Sequence, residues 1–177
     1  TLKDICILDI GAQKSEIAIF SLQELIQAKS YRWGGVMVSE QLQKIVRNTH
    51  QCVISWHAAE EAKKALGTLL SGKQKIAVTG KDLVTQASKT VIVTAQEFAP
   101  EFAVSFNELL DNIEQFMALL PSEVAVSVLD KGMYVTGAGS QLGGIDQAIT
   151  QKFKCSVILA QNPELDVIVG LQALHKL

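Results

Sequence analysis

At 177 residues with 48% apolar content, the chain can bury a core without help from disulfides or metals. A net charge of −2 with scattered basic residues leaves no electrostatic footprint for nucleic acid, and no run of about 18 apolar residues marks a membrane span. Cys6, Cys52 and Cys155 show no CxxC spacing; this fits a reducing compartment, argues against a zinc site, and leaves them as small core residues. The chain opens at Thr1 on the edge of a strand, without an initiator methionine, and is expected to be a fragment of a longer protein.

Three strands come first, over residues 4–10, 16–21 and 25–33, joined by short turns. In the first, Ile5, Ile7 and Asp9 alternate with Cys6, Leu8 and Ile10, the pattern of a central strand buried on both faces. Gly34-Gly35 breaks the sheet, and helical spacing follows through Val38, Leu42, Ile45 and Val46. A second helix spans residues 56–66, with Ser55 as its N-cap and Gly67 as its stop. Short strands at 75–79 and 90–94 flank a polar loop, so residues 34–94 read as an insertion.

Thr94-Ala95-Gln96-Glu97 matches a capping box and opens the longest helical signal, through Phe98, Phe102, Phe106, Leu109, Ile113, Phe116 and Leu120. Steps of three and four put these on one stripe facing the core. Pro100 opposes the carbonyl of Gln96 and predicts a kink or a short first helix. After Pro121 come a short helix, a strand over 133–136, a helix over 142–153, a strand over 156–160 and a helix over 163–174. This order, with its opening meander, is an α/β plan of the ribonuclease-H-like kind: a lobe at 1–33 and 95–177, and a small α+β sub-domain at 34–94. A plain dinucleotide-binding sheet fits only part of it.

Two apolar strands close on glycine turns, Asp9-Ile10-Gly11 and Thr136-Gly137-Ala138-Gly139. Each reads as half of a split nucleotide cradle, because glycine lets a phosphate or nucleoside approach the main chain. Asp9 could instead close a turn on its own backbone, and Gly137 and Gly139 could be ordinary turn glycines. His50, His57 and His175 show no ligand spacing, and no nucleophile is fixed beside a base.

Several segments together resemble the second lobe of the MreB family of bacterial actin homologues. They are Leu8-Asp9-Ile10-Gly11, Gly34-Gly35, Glu60-Glu61-Ala62-Lys63 with Leu66-Gly67, and Val78-Thr79-Gly80-Lys81-Asp82-Leu83-Val84. Lys89-Thr90, Pro121-Ser122-Glu123-Val124-Ala125, Asp130-Lys131-Gly132 before Val135-Thr136-Gly137-Ala138-Gly139, and Pro163 with Val167 and Gly170 extend the match over nearly the whole chain. The resemblance implies an actin-like ATPase lobe that binds ATP or ADP with Mg²⁺. Asp9 would bind the ion through water, and Gly11, Ala12, Lys14 and Ser15 would form the phosphate turn. Gly137, Ala138 and Gly139 would line the adenosine pocket, with Glu60 and Lys63 contacting the nucleoside. Glu60, Glu61, Lys63 and Lys64 could equally be the solvated face of their helix. No residue of this chain is expected to be catalytic, since the group that positions the attacking water lies in the other lobe in this family. Hydrolysis by the chain alone is therefore not expected.

The resemblance further implies a cytoplasmic, filament-forming cell-shape protein at the inner face of the membrane. It would associate with itself, with an MreB-type homologue or with other cell-shape proteins, touching the membrane only through the other lobe. Departures bear on this. The family turn Asp-Ile-Gly-Gly-Gly-Thr-Thr reads Asp9-Ile10-Gly11-Ala12-Gln13-Lys14-Ser15 here, Val36 replaces a polar residue, and Ala138 replaces a glycine. If the turn needs positive φ at Ala12 or Gln13, each position costs about 1–2 kcal/mol. Nucleotide binding would then be weakened, reshaped or lost. A non-hydrolysing scaffold that caps or copolymerises with a functional homologue is thus the alternative. A small-molecule kinase lobe is the third reading, and the MreB-like middle stretch points away from it.

Overall fold

The computed structural model describes residues 4–67 and 72–175; Thr1 and the side chain of His175 lie outside the described residues. The chain begins with β1 (Asp4–Ile10), β2 (Ser15–Ser21), β3 (Glu24–Tyr31) and α1 (Gly35–His50). There follow β4 (Cys52–Val53), α2 (Trp56–Leu66), β5 (Lys75–Asp82), β6 (Ser88–Thr94) and α3 (Ala95–Met117). The rest comprises α4 (Ser122–Lys131), β7 (Met133–Thr136), a 3-10 turn at Ala138–Gln141, α5 (Ile145–Phe153), β8 (Val157–Leu159) and α6 (Asp166–His175).

Two compact units emerge. The first comprises Thr1–Gly35, Glu108–Gln141 and Ile145–Leu177. Its sheet has the order β3-β2-β1-β7-β8, antiparallel through the meander and parallel from β1 to β7 and β7 to β8. β1 is central, as its alternation predicts. Cys6, Leu8 and Ile10 are fully buried on one face, but Ile5, Ile7 and Asp9 on the other are only half-buried, which corrects the expectation of two closed faces. The Ser127 hydroxyl donates to the Asp4 carboxylate, and Lys131 pairs with it at 3.4 Å, tying α4 to β1. At the far edge, Ile158, Leu159, Val167, Ile168, Val169 and Leu171 of β8 and α6 are exposed.

The second unit comprises Val36–Asn107 and Leu142–Gly144, with an antiparallel sheet β4-β5-β6. Its core includes Val38, Leu42, Val46, Ala59, Ala62, Leu66 and Val93 with Phe98, Phe102 and Phe106 of α3, of which Phe98 and Phe102 stack at 5.5 Å. Burying each such ring contributes about 1.5–3 kcal/mol. The capping box forms as the sequence predicts: Thr94 N–H donates to Glu97 Oε2 at 2.9 Å and Glu97 N–H to Thr94 Oγ1 at 3.4 Å. The unit boundary falls within α3 rather than at its start. Glu97 Oε1 lies 3.4 Å from His50 Nε2, Ala95 N–H donates to the Gln74 carbonyl and the Ser105 hydroxyl to Gln41, so the helix's first half belongs with this unit.

Other differences have local causes. α3 runs through Pro100 as one helix, without a separate first segment. β4 is too short to leave a periodic signal. α5 starts at Ile145 rather than 142 because Gly144 adopts φ +88°. All three cysteines are buried free thiols, and burial pushes Cys6 up to about 12. Among the described residues no helix is long and apolar enough to cross a membrane.

Candidate functional site

Parallel pairing of β1 with β7 sets Asp9 opposite Thr136, so the glycine turns after these two strands leave the same end of the sheet. They touch. A Cβ on Gly137, at φ +82°, would lie 2.2 Å from Asp9 Oδ1 and 2.5 Å from the Ile10 carbonyl oxygen; one on Gly139 would lie 2.4 Å from Ile10 Cγ2. Both glycines are therefore required by the packing of one turn on the other. Ala138 between them is exposed, so its methyl group opposes no backbone, and the lost glycine leaves the loop unstrained.

The first turn is a hairpin closed by Gly11 N–H donating to the Lys14 carbonyl at 3.0 Å. Gly35 N–H donates to the Gly11 carbonyl at 3.1 Å, and a Cβ on Gly34 would sit 2.6 Å from the Ala12 carbonyl oxygen. Non-glycine residues at positive φ are Leu22, Gln23, Gln51, Gln86 and Lys154. Ala12 and Gln13 are not among them, so the strain expected from the lost glycines is not incurred. Their N–H groups and that of Lys14 meet no acceptor among the described residues.

Two residues expected on the phosphate turn behave otherwise. Ser15 is fully buried and its hydroxyl donates to the Trp33 carbonyl at 2.8 Å, which commits it to the fold rather than to the turn's outer face. Strand alternation explains this: Ser15 shares the inward side with Ile17 and Ile19. Lys14 is exposed and paired with Glu16 at 2.9 Å, so its charge is partly answered within the hairpin.

Asp9 is half-buried at the tip of β1. Desolvation, then the charge of Glu16, holds its carboxyl above the usual range, with Asp166 adding to the rise and Lys14 opposing it. A carboxylate kept ionised against such surroundings favours a nearby cation.

Sequence reasoning missed the segment that holds the second turn. Asp166 Oδ2 accepts the Thr136 hydroxyl at 2.7 Å and the Tyr134 hydroxyl at 3.4 Å. The Pro163 carbonyl accepts Gly137 N–H at 3.2 Å, and Gln141 Nε2 donates to Glu164 Oε1 at 3.0 Å. No periodicity links residues about thirty positions apart, and only the parallel step from β7 to β8 and the turn into α6 reveal the pairing.

In the second unit, the four charges on α2 divide. Ser55 Oγ caps the helix by accepting Ala58 N–H at 3.2 Å. Lys63 bonds Glu60 at 2.7 Å, and the Ser39 hydroxyl donates to the same carboxylate oxygen. Burial alone would raise Glu60, but these two bonds hold it below its ordinary value. Glu61 and Lys64 pair at 3.1 Å in solvent and form the helix's outer face.

The family model described as MreB/Mbl protein matches residues 3–177. Among curated relatives, the cell shape-determining protein Mbl of Bacillus subtilis (strain 168) is 24% identical over 166 residues, covering 93% of this chain and 50% of Mbl. The chain thus spans about half the length of the curated relatives it matches. Among solved structures, MreB5 of Spiroplasma citri bound to ADP superposes with a TM-score of 0.94 at 23% identity, over 98% of this chain and 54% of that one. The MamK double helical filament gives 0.81 at 17%, over 98% and 54%. These likenesses establish an actin-like, ribonuclease-H-like α/β fold.

Proposed function

The chain belongs to the MreB/Mbl family, and from that premise we propose that it is the nucleotide-binding half of an actin-like, filament-forming, cell-shape-determining protein. One observation carries this reading: the Asp9–Gly11 and Thr136–Gly139 turns are packed together at one end of the first unit's sheet, with glycine imposed where they meet. The ligand is ATP or ADP. Three N–H groups on the Ala12–Lys14 turn are suited to phosphate oxygens. Asp9 suits a water-mediated contact to Mg²⁺, whose hard charge prefers oxygen and retains water. Bound Mg²⁺ would supply charge neutralisation between the phosphates. Ala138, exposed between Gly137 and Gly139, would face the nucleoside. The MamK double helical filament supports self-association into filaments as the mode of action, and the cell shape-determining protein Mbl supports the role in cell shape. A cytoplasmic site at the inner membrane face, other cell-shape proteins as partners, and membrane contact through the remaining half belong to the same proposal.

A second reading has its own observation. The Ser15 hydroxyl is spent on Trp33 and Lys14 is paired with Glu16, so the phosphate turn offers few side-chain donors. This favours a non-hydrolysing member that caps or copolymerises with a functional homologue. MgATP and MgADP binding, followed by sedimentation and negative-stain imaging, separates the two. Binding with ATP-dependent filaments, both abolished or sharply weakened by Asp9→Ala, supports the first reading; absence of both refutes it and leaves the scaffold.

A further inference from the structure

We infer that Asp166 is a positioning residue that holds the nucleoside side of the site in place through Thr136; this rests on the nucleotide-binding reading above. The Thr136–Gly139 turn is fixed from two directions. Asp9 and Ile10 leave no room for a side chain at Gly137 or Gly139. From the other direction the segment Pro163–Asp166 bonds the turn at Thr136, Gly137 and Gln141. Of these bonds, Thr136 to Asp166 is the shortest, at 2.7 Å, and it runs from a residue that is only 5% exposed to a carboxylate acceptor. Such bonds are about twice as strong as neutral ones. The others are weaker restraints: the Gly137 bond to Pro163 is neutral, and the Gln141–Glu164 pair is exposed.

Two properties of Asp166 act oppositely on a nucleotide. Its acceptor oxygen orders the turn, whereas its negative charge, near Asp9, repels a polyphosphate. They are separable by substitution. Asp166→Asn keeps an acceptor oxygen and removes the charge; Asp166→Ala removes both; Thr136→Val removes the donor, and Thr136→Ser restores it. Titration with MgADP is expected to show about a tenfold loss of affinity for Asp166→Ala and Thr136→Val. Thr136→Ser should match the parent, and Asp166→Asn should bind as well as the parent or better.

Amide hydrogen exchange at Gly137–Ser140, measured without nucleotide, provides a readout that does not depend on binding. Faster exchange in Asp166→Ala and Thr136→Val, but not in Asp166→Asn or Thr136→Ser, supports the assignment. Unchanged exchange in Asp166→Ala overturns it, as does equal loss of affinity in Asp166→Asn and Asp166→Ala, which would make the charge the operative feature. Failure of the parent to bind MgADP refutes the nucleotide reading alone, because exchange still decides whether Asp166 holds the turn. If Asp166→Ala does not fold, Thr136→Val set against Thr136→Ser carries the same decision: faster exchange in the valine variant alone supports the assignment, and equal exchange in both overturns it.

Discussion

Replacing Gly137 with alanine tests whether the two turns are packed as tightly as the structure places them. The added Cβ would lie 2.2 Å from Asp9 Oδ1, 2.5 Å from the Ile10 carbonyl oxygen and 2.7 Å from its carbon, so backbone as well as side chain must yield. A non-glycine residue at φ +82° costs about 1–2 kcal/mol. Overpacking a site that cannot expand adds about 1–3 kcal/mol. Gly137→Ala should therefore destabilise the chain by about 2–5 kcal/mol. Gly170 is the internal control: it lies inside α6, and among the described residues nothing stands within 4 Å of the Cβ it would gain. Gly170→Ala should stabilise by up to about 1 kcal/mol through helix propensity alone. Urea unfolding of both variants beside the parent measures each, with an unchanged slope confirming that stability rather than compactness has moved. A loss below about 0.5 kcal/mol for Gly137→Ala, the ordinary range of a surface change, would refute the tight packing.

Three further outcomes follow from the same geometry. Ser15→Ala removes the bond to the Trp33 carbonyl and should cost about 0.5–1.5 kcal/mol in urea unfolding while leaving nucleotide affinity unchanged; lost affinity at unchanged stability would return Ser15 to the phosphate turn. Asp9 sits above its ordinary 3.8 when folded, so its destabilising contribution is absent below that value and grows as pH rises through the folded one. Asp9→Asn should hence raise the urea midpoint at pH 7 and leave it nearly unchanged at pH 3; a lowered midpoint at pH 7 would show that the carboxylate serves the fold. Lys63→Met leaves the Glu60 carboxylate with one bond fewer and should cost about 1–3 kcal/mol in urea unfolding, largely recovered by adding Glu60→Gln; no recovery would show that Lys63 acts through packing.

What could be read from the sequence was local or periodic. The Thr94–Glu97 box, the Ser55 cap and the spacing from Phe98 to Phe116 are each written within a few residues, and each formed. The two glycine turns were also visible, because glycine at a strand end marks close approach. What they approach was not visible: the structure gives Asp9 and Ile10 as the immediate reason for Gly137 and Gly139, ahead of any ligand. Ser15 is assigned to the phosphate turn because a hydroxyl beside an exposed turn carries no sign of the face its strand will give it. Asp166 was hidden for a different reason, since its partner is thirty residues away. The Ala12-Gln13 departure looked costly only while the turn was assumed to need positive φ; a four-residue hairpin loop closed at Gly11 and Lys14 does not.

The last helix joins two unequal ends. Its first turn is fastened to the sheet through Asp166, whereas Val167, Ile168, Val169 and Leu171 spread apolar surface around its axis and meet water. A helix apolar on all sides gains most of its stability from what packs on it, and within this chain these four side chains are exposed. Local stability in α6 should therefore grade along its length, protected at the tethered turn and fraying toward the far end. A ligand that tightens the Thr136 turn would slow opening of that first turn and leave the remainder as free to open as before.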